Sequence, residues 1–146
     1  FVQTHRDPVK IVISTSNLAA TLQGMASDRV DLHKVTRYYA QALAQGYNNT
    51  VAYRKSGMIP EHQVVDLYFR DFMADQVGTV RRAYEHFGMT LEDTTAAAMQ
   101  SFLDDNPADK HGKHLYSLAN TGMQEAELRA LFTDYEAYFN VPREPL

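Results

Sequence analysis

The chain has 146 residues, 45% hydrophobic and 22% charged, which suits one globular domain or a piece of one with a real core. A formal net charge of −4 argues against non-specific nucleic-acid binding, because no surplus of cations exists to displace counterions from a phosphate backbone. With no cysteine, disulfides, thiolate catalysis and cysteine-ligated zinc are excluded, and no apolar run reaches the roughly 18 residues that suggest a membrane span. No basic, apolar leader is visible at the N-terminus, so the expected compartment is the cytoplasm. Residues 1–5 read as a short strand, and Asp7-Pro8 as the start of a helix over residues 8–26, with Asp capping and Pro in the first turn. Ile11, Leu18, Leu22 and Met25 are its expected apolar face. A longer helix is predicted over residues 31–55, from the stripe Leu32, Val35, Tyr39, Ala42, Leu43, Gly46 and Thr50, closed by Ser56-Gly57 and Pro60.

Val64 to Phe69 is rich in β-formers and reads as a second strand. Residues 71–87 read as mainly helical with Val77, Val80, Ala83, Tyr84 and Phe87 inward and Gly88 at the C-terminal end. Thr90 and Asp93 resemble a capping box for the next helix, which Asn106-Pro107 stops. Residues 106–122 are polar and glycine-containing. A last helix is predicted over residues 124–139 with Leu128, Leu131, Phe132, Tyr135 and Phe139 inward. Two strands separated by two helices call for parallel pairing inside a larger α/β sheet, since two strands alone are marginal in water. The expectation is therefore part of a larger domain, with further strands upstream.

Three segments carry chemistry. In Thr4-His5-Arg6-Asp7-Pro8 a strand turns directly into a helix, where the helix dipole and an arginine fork both favour an anion. Ser14 lies close to two helical turns further on, about 11 Å along the axis from Asp7 at ~1.5 Å per residue. The plainer alternative pairs Arg6 with a nearby carboxylate and leaves Ser14 to solvent. In Lys110-His111-Gly112-Lys113-His114 two lysines flank a glycine that can turn backbone N–H groups toward an anion. A metal at His111 and His114 is disfavoured by the adjacent lysines, and a solvated loop is the plainer alternative. In Tyr68-Phe69-Arg70-Asp71-Phe72 an aromatic at a strand's end can stack on a base in the crevice where open α/β sheets bind ligands, or simply join the core.

In this order along the chain, Arg6-Asp7-Pro8 with Ser14, then Phe69-Arg70-Asp71-Phe72, then Lys110-His111-Gly112 resemble the C-terminal half of the sulfotransferase superfamily, and residues 110–118 its bacterial branch. The resemblance implies an α/β, P-loop-related fold, mostly helical here with two short parallel strands, and residues 1–146 as the C-terminal portion of one domain. It implies an enzyme moving a sulfuryl group from 3′-phosphoadenosine-5′-phosphosulfate (PAPS) to a hydroxyl or amine of a small-molecule acceptor. In that scheme Arg6 and Ser14 bind the 3′-phosphate, Phe69 lies near the adenine, and Lys110, His111 and Gly112 close over the phosphate. Phe69 lacks the hydroxyl of the family's tyrosine, and His111 replaces a permanent cation, so its contact is pH-dependent. The phosphosulfate loop and the catalytic base belong to the upstream half, so no catalytic residue and no metal are expected here, and residues 1–146 alone are expected to be inactive. The rivals are a non-enzymatic α-helical protein-binding module with tyrosine-rich faces and a nucleotide-kinase-like enzyme.

Overall fold

A computed structural model describes residues 1–107 and 117–146. The chain divides into two compact units. One holds residues 1–5 together with the segment from Ile59 onward, and the other holds Arg6–Met58 and the C-terminal part.

The first unit contains strands β1 (Val2–His5) and β2 (Val65–Tyr68), paired in parallel with Val2 opposite Val65 and His5 opposite Tyr68. Helices α1 (Pro8–Gly24) and α2 (Leu32–Lys55) intervene in sequence, as a parallel connection requires. After β2 come α3 (Phe69–Ala74), α4 (Gln76–His86) and α5 (Asp93–Asp105). The helix expected over residues 71–87 is broken at Asp75, whose backbone is extended (φ −155°) and whose carboxylate caps the Gly78 N–H at 2.8 Å. Short Asp side chains compete with the helix for backbone donors, which explains the interruption. Gly88 closes α4 with φ +67°, as its position suggested. The capping box at Thr90 does not form: α5 starts at Asp93, whose carboxylate meets Arg81 at 3.4 Å instead.

The second unit contains α1 (Pro8–Gly24), α2 (Leu32–Lys55), α6 (Glu125–Leu131) and α7 (Thr133–Phe139). Its core joins Val9, Val12 and Ile13 of α1 to Ala40 and Ala44 of α2 and to Leu128 and Phe132. Tyr47 stacks on Tyr135 with centroids 4.4 Å apart and extends the core toward Phe139. The buried face of α1 differs from the expected one. Val9, Val12, Ile13, Ser16 and Ala19 face inward, whereas Leu18, Leu22 and Met25 are 57%, 57% and 81% exposed. The true stripe includes small and polar residues, so hydropathy pointed to the larger side chains on the neighbouring face. In α2 the stripe is likewise shifted to Val35, Thr36, Ala40, Ala44 and Val51. Thr36 is buried with its polar group satisfied, because its hydroxyl donates to the Leu32 carbonyl at 2.8 Å. Gly122 has φ +69°, the left-handed region that favours glycine, and a Cβ there would lie 2.7 Å from the His33 ring, which would have to move. The single helix expected over residues 124–139 is divided at Phe132, yet its inward residues Leu128, Phe132, Tyr135 and Phe139 are buried as read.

Candidate functional site

The turn after β1 is built by Asp7 and Pro8. Asp7 is the N-cap of α1 and accepts from the Val9 N–H at 2.9 Å, while Pro8 occupies the first helical position. The Asp7 carbonyl accepts from Ile11 N–H at 3.1 Å. The first turn of α1 is thus capped from within by the Asp7 side chain.

Asp7 is 1% exposed, and its carboxylate is the hub of a polar network inside the second unit. Arg129 donates to both oxygens from Nη1 and Nη2 at 2.9 Å each, and the Glu144 N–H donates to Oδ2 at 2.8 Å. Burial pushes the Asp7 carboxyl up, but the hydrogen bonds from Arg129, Glu144 and Val9, with the charge of Arg129, outweigh it and hold it below the usual carboxylate range. Arg129 also donates to Glu136 at 2.7 Å and Glu125 at 3.1 Å; desolvation pulls it down, yet these carboxylates raise it well above its ordinary value.

Arg6 stands beside this hub. Its Nε donates to Glu144 Oε1 at 3.0 Å and Oε2 at 3.3 Å, and its Nη2 donates to Oε2 at 3.0 Å. The pairing with a carboxylate, weighed from sequence as the plainer alternative, is present. Ser14 lies on α1 in the same unit, half-buried, and its hydroxyl makes no hydrogen bond among the described residues. Phe69 opens α3 immediately after β2 in the first unit and is half-buried. Lys110, His111 and Gly112 lie outside the described residues.

In the first unit the strands bring together two residues, His5 and Asp66, that the sequence reading did not pair. His5, 1% exposed, sits with Nε2 2.9 Å from Asp66 Oδ1, and its ring lies 5.2 Å from that of Tyr68. The signal was present in the register, because Asp66 and Tyr68 alternate onto one face and His5 pairs opposite Tyr68. A groove of about 410 Å³ in this unit, lined by Phe72, Val77, Val80, Met99 and Phe102 among others, is almost wholly apolar and suits no phosphate. Among the described residues no group of histidine and acidic side chains could hold a metal ion.

The family model described as the sulfotransferase family matches residues 1–93, more than half of the chain and the whole segment from β1 through α4. The chain belongs to the sulfotransferase family. Its fold is similar to the crystal structure of sulfotransferase STF9 from Mycobacterium avium, with a TM-score of 0.83 and 24% identity over 97% of this chain. The chain spans 36% of the length of that structure. Among curated proteins nothing matches. The sulfotransferase match takes in Arg6, Ser14 and Phe69, and the mostly helical architecture with two parallel strands is the one expected. Among the described residues no helix is long and apolar enough to cross a membrane.

Proposed function

We propose that this chain forms the C-terminal part of a PAPS-dependent sulfotransferase domain, supplying the 3′-phosphate and adenine side of the donor site. The observation that carries the proposal is the Arg6-Asp7-Pro8 turn from β1 into α1, with Ser14 on the same helix, inside the segment matched by the family. The donor set fits the ligand: a guanidinium and a hydroxyl suit a phosphate, and an aromatic ring suits an adenine. Arg6 and Ser14 hold the 3′-phosphate, Phe69 stacks beside the base, and Lys110, His111 and Gly112 complete the cationic contact.

When bound, PAPS supplies the sulfuryl group that passes in line to a hydroxyl or amine of a small-molecule acceptor. The residues of this chain do not touch the reacting atoms. They grip a remote anion, and that binding energy fixes the orientation of the reacting end. The phosphosulfate loop and the base that deprotonates the acceptor are assigned to the upstream half of the same domain, so residues 1–146 alone transfer nothing. A cytoplasmic, bacterial setting without metal completes the proposal. Family membership favours this reading over a helical binding module or a nucleotide kinase.

The test is transfer of labelled sulfate from PAPS to an acceptor panel by the full-length protein. The expected result is turnover that Arg6→Ala weakens chiefly through a raised KM for PAPS. Absence of any transfer or of PAPS binding in an intact, folded protein would reject the proposal.

A further inference from the structure

Arg6 reaches its partner across 138 residues of sequence, and that partner is fixed from several directions. After α7, Asn140 takes a left-handed conformation (φ +48°) and Val141 is buried with its N–H bonded to the Glu136 carbonyl at 3.1 Å. Pro142 restricts the next φ, and Arg143 Nη2 meets Glu136 Oε2 at 3.1 Å. The Glu144 N–H then bonds Asp7, the residue adjacent to Arg6. Glu144 therefore has an anchored backbone, and its carboxylate lies side-on to the guanidinium, engaging Nε and Nη2.

A fork held along one edge loses the rotamer freedom that an arginine otherwise gives up on meeting an anion. We infer that Glu144 is a positioning residue for the anion site, holding the Arg6 guanidinium in the plane in which it takes the 3′-phosphate. The inference rests on the proposed role of Arg6. Glu144 touches no substrate; it acts through Arg6, and its charge is tolerated because it lies on the Nε side of the fork. A merely structural role for Glu144 would weaken every ligand together, whereas positioning of Arg6 weakens the 3′-phosphate contribution alone.

The experiment measures that contribution as the ratio of AMP to adenosine 3′,5′-bisphosphate dissociation constants, by calorimetry on the full-length protein. Parent, Arg6→Ala, Glu144→Ala, Glu144→Gln and the Arg6→Ala/Glu144→Ala double variant are compared. Glu144→Ala keeps the backbone bond to Asp7 and is expected to reduce the ratio about tenfold, equivalent to ~1.4 kcal/mol. Glu144→Gln, which keeps one acceptor oxygen at the right reach, falls between parent and Ala, and AMP affinity stays unchanged. In the Arg6→Ala background the second substitution has no further effect, the non-additivity of residues acting as one. A ratio unchanged or increased in both Glu144 variants, with Arg6→Ala still reducing it, would overturn the inference; an increase would make Glu144 a competing anion instead. A ratio that Arg6→Ala leaves intact would reject the underlying role of Arg6 and the inference with it.

Discussion

Arg129 closes its guanidinium fork on both oxygens of Asp7, two bonds of 2.9 Å linking α6 to the turn before α1 across 122 residues of sequence. The pair is buried, and each remaining side of it is occupied: Asp7 by the Val9 and Glu144 N–H groups, Arg129 by Glu125 and Glu136. A buried ion pair stabilises only when its hydrogen-bonding capacity is filled in this way. The consequence for the proposed site is geometric, since the residue so firmly held is the neighbour of Arg6.

Removing Arg129 leaves the Asp7 carboxylate buried without its counter-charge. Arg129→Ala is expected to cost about 3–5 kcal/mol of stability. The Asp7→Asn/Arg129→Met pair, which removes both charges of the central pair and leaves Glu136 to Arg143, should recover part of that loss. Urea unfolding of the full-length variants checks both; equal stability of Arg129→Ala and parent would show that the network carries no weight.

Acid should expose the same pair. The Asp7 carboxyl is held below its ordinary value in the folded chain, so across the acid range the unfolded chain binds more protons than the native one. Its contribution to stability is complete above the unfolded value of about 4 and is lost as pH falls through the lower folded value. Thermal midpoints from neutral pH down to the acid limb should drop less steeply for Asp7→Asn than for the parent. An identical slope would show that Asp7 does not titrate differently in the two states.

Much of the fold was legible because local chemistry and tertiary structure agree. Asp7-Pro8 opens a helix for reasons contained in those two side chains, and the residues Leu128, Phe132, Tyr135 and Phe139 mark a face that packing then uses. The errors arise where neighbours decide. The inward face of α1 runs through Ser16, which no hydropathy pattern selects, and Asp75 breaks a helix by capping Gly78, a choice that periodicity does not register. At the candidate site the motif residues were readable, but Glu144 was not: no local pattern ties a carboxylate beyond α7 to an arginine ahead of α1. Glu125 and Arg129, four apart on one helix, carry a local spacing signature of their own.

The His5–Asp66 pair should matter to the first unit alone. Asp66→Ala removes the carboxylate that meets Nε2 of a buried ring and is expected to cost about 1–3 kcal/mol. Hydrogen exchange should rise in β1 and β2 while amides of α6 and α7 keep their protection. Uniform loss of protection throughout the chain would contradict this.

Ser14 offers a hydroxyl with no bond among the described residues, and the proposed site gives it one. Ser14→Ala should weaken adenosine 3′,5′-bisphosphate roughly tenfold, the loss of one hydrogen bond to a charged group, and leave AMP unaffected. Fold stability should change little, because the hydroxyl makes no hydrogen bond among the described residues. Equal weakening of both nucleotides would place Ser14 away from the 3′-phosphate.

The most direct measurement is calorimetric binding of adenosine 3′,5′-bisphosphate and AMP to the full-length protein and its Arg6→Ala variant. Recognition of the 3′-phosphate predicts tighter binding of the bisphosphate to the parent, and a loss of about 10- to 100-fold in that preference on removing the Arg6 fork. Equal affinity of the parent for the two nucleotides, or a preference that survives Arg6→Ala, would contradict the assignment of the β1–α1 turn to the sulfuryl donor.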